Sequence, residues 1–286
     1  MPQSLDDLVA LLDLETIEDN LFRGTQPHTG LQRVFGGQVA GQALVAAVRT
    51  VATDRVVHSL HAYFLRPGDP SVPIVYDVEI VRDGRSFSTR RVVARQHGRA
   101  IFYLTASFHT PESGFDHQDV MPDAPAPENC PTLGEFFERI SGVSRDAWER
   151  EWAALEVRYI GDSRDGGTLE APDHPALARL WLRAAGRLPD DPTMHACVLT
   201  YASDLTLLGA TLVPHGTHIG APGLQTASLD HTIWFHRPFD AASWHLEHFV
   251  CQAMVHSRGV AVGSIFDAHG AHVATVSQEV LFRSRR

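Results

Sequence analysis

Two ten-residue segments of this 286-residue chain repeat one another about 171 residues apart. The first, at positions 58–67, is HSLHAYFLRP, and the second, at positions 229–238, is LDHTIWFHRP. Aligning their prolines pairs three further positions: Tyr63 with Trp234, Phe64 with Phe235, and Arg66 with Arg237. Self-similarity at about half the chain length implies two structural copies of one unit. Reactive groups that occur in only one copy are therefore the first candidates for function.

Hydrophobic patterning and turn residues predict the same order of elements in both copies. In the first copy, a long apolar helix that opens at Phe35-Gly36-Gly37 precedes strands at 58–66, 74–81, 86–96 and 100–108. In the second, a helix at about 192–208 precedes strands at 224–237, 244–256, 259–267 and 272–282. The last two strands of each copy form a hairpin, turning at His97-Gly98 and at Ala268-His269-Gly270.

Further elements are predicted outside this shared pattern. A short helix at 5–13 and a strand at about 17–23 precede the first copy, and the proline-rich segment 110–131 reads as a linker. A helical patch at 133–155 and strands near 155–160 and 178–185 follow it.

Each copy has one long helix followed by four antiparallel strands. This order of elements suits an arrangement in which each sheet curls around its helix. Joining the two sheets edge to edge also covers strand edges that would otherwise promote aggregation. We therefore expect an α+β fold, a double hotdog in which both sheets form one continuous sheet. Its expected divisions are residues 1–110 for the N-terminal repeat, 111–154 for a linker and helical segment, and 155–286 for the C-terminal repeat.

Amino-acid composition disfavours several classes of protein. The net charge is −10, and all 24 basic residues are arginines, a balance that disfavours general binding of nucleic acids. Apolar runs are shorter than a membrane span requires, and the acidic N-terminal segment is neither a secretory signal nor a transit peptide. Because the three cysteines are widely spaced, a disulfide framework is not expected. These features favour a cytoplasmic protein that does not bind membranes.

Three polar side chains of the second copy stand out. Asp204 lies within the apolar helix, Ser228 lies early in a strand, and Gln278 takes the position that Ala106 has in the first copy. Each alone has an ordinary structural explanation, such as a surface acid or a polar group at a sheet edge. Together they supply a carboxylate that can take a proton from water, and a hydroxyl and an amide that can orient it.

Other candidates concern substrate binding. His58 lies one residue from the position equivalent to Ser228, although a structural role is the simpler interpretation for one of 17 histidines. The Gly36-Gly37 pair suits either close helix packing or the presentation of backbone N–H groups to an anion, and Gly37 is retained as a candidate. Arg91 belongs to an arginine-rich stretch, 82–99, that suits either phosphate capture or a solvated strand face. His245-x-x-His248 lacks a third ligand, so no metal site is expected.

Several longer motifs resemble the type II acyl-CoA thioesterases, the TesB family. They are VFGGQVAGQAL (34–44), HSLHAYFLRPGDP (58–70), YDVEIVRDGRSFSTRRV (76–92), YASDL (201–205), LDHTIWFHRPF (229–239) and SRGVAVGSIFDAHGAHVATVSQE (257–279). The resemblance implies hydrolysis of fatty acyl-CoA, of medium to long chain, to free acid and CoA without a cofactor. It also implies an Asp–Ser/Thr–Gln triad at Asp204, Ser228 and Gln278, water attack without a covalent intermediate, and a homodimer or homotetramer. Ser228 departs from the threonine that is frequent in bacterial members.

Three alternatives are less well supported. A hotdog hydratase or dehydratase typically needs an Asp/His pair in a D-x-N-P-x-H-like segment, which this chain lacks. An α/β-hydrolase needs a G-x-S-x-G elbow, which is also missing. An acyl-CoA carrier would not need to retain all three triad groups.

Overall fold

The computed structural model describes residues 1–165, 167–169 and 176–284. Within these residues there are five α-helices: α1 (Leu5–Leu12), α2 (Gly36–Val48), α3 (Leu133–Ser141), α4 (Arg145–Glu151) and α5 (Pro192–Thr206). Short 3₁₀ helices occupy Pro127–Asn129 and, directly after α5, Leu207–His215. The same residues contain thirteen strands: β1 (Glu15–Glu18), β2 (Leu21–Gly24), β3 (Val56–Phe64), β4 (Ile74–Asp83), β5 (Phe87–Gln96), β6 (Arg99–His109), β7 (Leu155–Asp162), β8 (Leu177–Ala184), β9 (Leu224–Ser228), β10 (Asp230–Phe235), β11 (His245–Val255), β12 (Arg258–Asp267) and β13 (His272–Ser284).

The strands form one antiparallel sheet whose order is symmetric about its centre. The order runs β1-β2-β4-β5-β6-β3-β10-β13-β12-β11-β8-β7, and β9 pairs with β13 beside β10. The two copies meet where β3 pairs with β10, with Tyr63 opposite Asp230 and Ser59 opposite Trp234. The predicted double hotdog, with two sheets joined edge to edge, is therefore confirmed.

The core lies where α2 and α5 pack against each other inside the curved sheet. Glycines on α2 allow this close approach, because a Cβ at Gly37 would lie 2.1 Å from the carbonyl oxygen of Tyr201. The segment Pro192–His215 is long and apolar enough to span a membrane by length and composition, but 89% of its apolar window is buried in the protein. In this fold it is the core helix of the second copy.

Three predicted elements are each interrupted in the structure. The strand expected at 17–23 becomes β1 and β2, separated by a turn in which Asn20 has φ 61°. The helical patch at 133–155 becomes α3 and α4, because α3 ends at Gly142, whose left-handed backbone (φ 71°) favours glycine. The strand expected at 224–237 breaks at Leu229 into β9 and β10.

The break at Leu229 has a specific cause. Ser228 pairs with Val280, whereas Thr232 pairs with Ser277, so the register on β13 shifts by one residue between them. The Asp230 carboxylate accepts a hydrogen bond from the backbone N–H of Glu279 (2.6 Å), which compensates for the interrupted ladder. This bulge lies directly beside Ser228, at the edge of the functional site.

Candidate active site

Three elements of the second copy bring Asp204, Ser228 and Gln278 together. Asp204 lies in the last turn of α5, Ser228 ends β9, and Gln278 lies on β13. Because Ser228 pairs with Val280, two residues along β13 from Gln278, both side chains lie on the inner face of the sheet, towards α5. Asp204 and Gln278 are buried, and Ser228 is half-buried.

One oxygen of the Asp204 carboxylate is the common acceptor. Oδ1 accepts from Ser228 Oγ at 3.1 Å and from Gln278 Nε2 at 2.5 Å, and the backbone N–H of Gly37 also donates to this carboxylate. The sequence-predicted set is thus a connected network around a single carboxylate. These contacts determine how the carboxylate is oriented within the site.

Burial raises the pKa of the Asp204 carboxyl from 3.8 to about 6. The hydrogen bonds from Gln278, Ser228 and the Gly37 backbone act in the opposite direction, because they stabilise the charged form. A base with this pKa is mostly ionised at neutral pH, yet it binds a proton more readily than an exposed aspartate does.

Sequence reasoning missed His231, which extends the network behind Gln278. Its Nδ1 lies 3.3 Å from Gln278 Nε2, and its Nε2 lies 2.9 Å from Ser203 Oγ. Burial lowers the pKa of His231 to about 4, so the ring is neutral and its Nδ1 can accept a hydrogen bond from the amide. One N–H of Gln278 then points to Asp204 and the other to His231. The repeat alignment contained the signal, because the first copy has Leu60 at this position.

The start of α2 borders the same carboxylate. A Cβ at Gly36 would lie 2.5 Å from Asp204 Oδ2, so glycine leaves room for that oxygen. Gly37 donates its N–H to Asp204 and also packs against the backbone of Tyr201. Gly37 therefore packs closely against α5, and the anion that its N–H contacts is the protein's own carboxylate, so its part in substrate binding stays a prediction.

A cavity of about 560 Å³ opens above this network, within the size range of small-molecule sites. Its lining includes Asp204, Ser228 and Gly36, apolar side chains such as Phe64 and Leu208, and two arginines, Arg33 and Arg66. In the described part of the chain, no group of three or more His, Cys, Asp or Glu side chains is placed to hold a metal ion.

His58 and Arg91 lie elsewhere in the structure. His58 Nε2 is 2.8 Å from Ser107 Oγ, its ring contacts Phe87 and His109, and Arg91 lies 3.7 Å from Glu79. The described residues that line the cavity beside Asp204 include neither these two residues nor their contacts. His58 is separated from Ser228 because β3 and β10 run antiparallel, which places positions that are equivalent in the repeat at opposite ends of this strand pair. Their predicted part in substrate binding gains no support from this placement.

Comparisons with known proteins agree with the fold. Two family models match: the acyl-CoA thioesterase N-terminal domain over residues 25–109 and acyl-CoA thioesterase over residues 166–281. The chain is 41% identical over 288 residues to acyl-CoA thioesterase 2 of Haemophilus influenzae, covering 99% of each.

Solved structures give the same result. The acyl-CoA thioesterase II TesB2 from Mycobacterium marinum is 44% identical, with a TM-score of 0.81 over 96% of this chain and 97% of that one. A protein of unknown function with a hot dog fold from Alicyclobacillus acidocaldarius is 20% identical, with a TM-score of 0.76 over 96% of this chain and 97% of that one, and shows the fold alone. The family models, the full-length identity and the shared architecture establish that this chain belongs to the type II acyl-CoA thioesterase (TesB) family.

Proposed function

We propose that the protein hydrolyses fatty acyl-CoA thioesters of medium to long chain to free fatty acid and CoA, by attack of water and without a covalent intermediate. The observation that carries this proposal is the buried Asp204 carboxylate, which accepts hydrogen bonds from both Ser228 and Gln278 beside a substrate-sized cavity. Family membership supports the substrate class.

In the proposed reaction, Asp204 is the general base. It removes a proton from water as the water oxygen bonds to the thioester carbonyl carbon. The tetrahedral intermediate then collapses, the carbon–sulfur bond breaks, and the sulfur leaves as a thiolate that takes up a proton. Ser228 helps to hold the water, and Gln278 Nε2 holds the Asp204 carboxylate that accepts the proton.

The developing oxyanion needs donors that are not already engaged. Both N–H groups of the Gln278 amide are directed at Asp204 and His231, and the Gly37 N–H is directed at Asp204. First-turn N–H groups of a helix have no intrahelical acceptor, and Gly36, the first residue of α2, lines the cavity. We therefore assign oxyanion stabilisation to the backbone at Gly36, not to Gln278.

The test is thiol release from acyl-CoAs of graded length, with wild type and Asp204→Asn measured side by side. We expect wild type to release CoA, and the folded variant to lose about three orders of magnitude in kcat. Hydrolysis by a folded Asp204→Asn protein at the wild-type rate would contradict the proposal. Hydration of crotonyl-CoA without thiol release would support a hydratase instead, and tight binding without release would support a carrier.

We also propose a cytoplasmic homodimer or homotetramer. In the described chain, Cys130, Cys197 and Cys251 are free and buried, which suits a reducing compartment. Tyr63 and Trp234 are 49% and 38% exposed where the two copies join, and exposed aromatic side chains of this kind favour association. Light scattering coupled to size-exclusion chromatography measures the mass directly, and a monomer would contradict this part of the proposal.

A further inference from the structure

Two arginines at the catalytic cavity have no acidic partner among the residues that the structure describes. Arg33 precedes α2, Arg66 follows β3, and both are exposed residues of the cavity lining. Arg66 donates to the backbone oxygen of Ala100 at 2.6 Å, which holds its guanidinium in place. In the described part of the chain neither arginine forms a salt bridge, although the protein carries a net charge of −10.

The repeat supplies an internal comparison for Arg66. Its equivalent in the second copy, Arg237, lies 2.5 Å from the Asp116 carboxylate and donates to Gln118 at 3.2 Å. The linker therefore neutralises the guanidinium that lies away from the catalytic cavity. The copy of this arginine that borders the triad keeps its charge available for a ligand.

We propose that Arg33 and Arg66 bind the phosphate groups of CoA, which orients the thioester towards Asp204. This inference rests on the proposed function, because it concerns the substrate of the same cavity. Arginine suits the role, since its planar group donates two parallel hydrogen bonds to a phosphate. The pantetheine arm then runs from the arginines at the cavity into the site.

The experiment compares acyl-CoA with the N-acetylcysteamine thioester of the same acyl group, which has no phosphate. Arg33→Gln and Arg66→Gln should each raise KM for acyl-CoA about tenfold or more, because a charged hydrogen bond is lost, while kcat stays near wild type. Neither variant should change kcat/KM for the N-acetylcysteamine thioester. Arg187→Gln is the matched control, an exposed arginine between β8 and α5 outside the cavity lining, and it should leave both substrates unaffected.

An unchanged KM for acyl-CoA in both cavity variants would overturn the inference. An equal rise for both thioesters would overturn it as well, because the lost contact would then not be to phosphate. These outcomes differ from failure of the proposed function, in which wild type would hydrolyse neither thioester.

An independent observation concerns the acyl group. A second cavity, of about 170 Å³, adjoins the catalytic one and shares Trp152, Leu205 and Ile219 with it. The rest of its lining is mainly apolar or aromatic, and it also includes four polar residues: Arg164, Thr206, Thr217 and His218. Leu205 directly follows Asp204 in the chain, so the second cavity begins beside the catalytic base.

We infer that the acyl chain passes Leu205 and ends in this second cavity, again on the basis of the proposed function. Each buried methylene contributes about 0.8 kcal/mol to the binding free energy, so a mainly apolar cavity favours acyl chains long enough to fill it. A dry cavity of about 150 Å³ holds a benzene-sized group, so this one accommodates about six carbon atoms. Those carbons lie beyond the part of the acyl chain that the catalytic cavity holds.

Replacing Gly209 by a larger residue would fill part of this cavity. Among the described atoms, a Cβ at Gly209 would meet only Ile219 Cδ1, at 4.0 Å, so a side chain there extends into open space. We expect Gly209→Leu to lower kcat/KM for dodecanoyl-CoA about tenfold or more while leaving that for butanoyl-CoA unchanged. Gly209→Ala should give a smaller shift in the same direction. Ala52→Leu, in a separate cavity next to α1 and α2, adds side-chain bulk as a control and should keep the wild-type profile.

An unchanged chain-length profile in Gly209→Leu would overturn this inference. Equal loss at every chain length, butanoyl-CoA included, would overturn it too, because the substitution would then act on catalysis or folding. Absence of Asp204-dependent hydrolysis in wild type would count against the proposed function itself.

Discussion

At the scale of single residues, the site depends on burying a carboxylate, which is energetically unfavourable. Asp204 is 8% exposed, and its carboxylate is stabilised by hydrogen bonds from Ser228, Gln278 and the Gly37 backbone. These bonds compensate only partly for burial, because the pKa is still raised to about 6. The protein therefore gives up stability at neutral pH in order to hold an ionised base in an apolar surrounding.

This cost predicts a pH-dependent difference between wild type and Asp204→Asn. Between pH 3.8 and about 6 the folded wild type holds a proton that the unfolded chain has released, so its stability falls as pH rises. Asparagine does not titrate. Relative to wild type, the variant should therefore gain about 2–3 kcal/mol in unfolding free energy between pH 4 and pH 7. Urea unfolding at both pH values measures this, and parallel pH profiles for the two proteins would contradict it.

His231 should act by positioning Gln278. In His231→Leu the Gln278 amide loses one acceptor and can rotate, as can the Ser203 hydroxyl. We expect kcat to fall about tenfold with KM unchanged, at a cost of about 1–3 kcal/mol in stability. His231→Gln, which keeps an acceptor, should recover part of kcat. A variant that loses stability but keeps the wild-type kcat would show that the role is structural only.

At the scale of elements, the α2–α5 contact sets the position of the base. A Cβ at Gly37 would meet the Tyr201 carbonyl oxygen at 2.1 Å, and this backbone oxygen cannot rotate away as a side chain does. The helices must therefore separate if the glycine is replaced. Because Asp204 lies one turn after Tyr201, such a shift moves the carboxylate relative to the strand residues.

Gly37→Ala should consequently lower both stability, by about 1–3 kcal/mol, and activity. Thermal unfolding and thiol release measure the two effects. Gly30→Ala is the matched control, since an added Cβ at Gly30 meets no atom of the described part of the chain within 4 Å. If Gly37→Ala matches this control in both measurements, close helix packing does not position the base.

The elements show what the sequence can and cannot predict. Helix α5 and the long strands follow from periodicity and turn residues, and repeat differences such as Gln278 against Ala106 single out residues that the family resemblance predicts as a triad. The break at Leu229 could not be predicted, because it depends on Asp230 reaching the Glu279 backbone across the sheet. The proposed role of Arg66 could not be predicted either, because both copies have arginine at this position and only the linker contact to Arg237 distinguishes them.

At the scale of the whole molecule, the two copies share one core. β3 and β10 hydrogen-bond across the junction, and α2 packs directly on α5. Asp204 and the Gly36-Gly37 backbone come from different copies, so the proposed catalytic site exists only in the joined molecule. The proposed catalytic side chains therefore lie in the second copy, and the helix-terminal N–H groups beside them lie in the first.

This arrangement predicts one cooperative unfolding transition. Separating the copies would expose the apolar faces of α2 and α5 and the edges of β3 and β10, so neither half should unfold first. Differential scanning calorimetry should give equal calorimetric and van't Hoff enthalpies if unfolding is reversible. Two resolved transitions would show that the copies are separately stable.

The central claim, that buried Asp204 is the general base, is tested most directly by the pH dependence of kcat/KM, which reports ionisations of the free enzyme. Asp204 is active when ionised, so kcat/KM for a saturated N-acetylcysteamine thioester, which carries no phosphate that titrates near pH 6, should fall below an apparent pKa of about 6, reaching about one tenth at pH 5. The residual activity of Asp204→Asn should lack this acidic limb. A wild-type profile that is flat down to pH 5, or an acidic limb that persists in Asp204→Asn, would contradict the account.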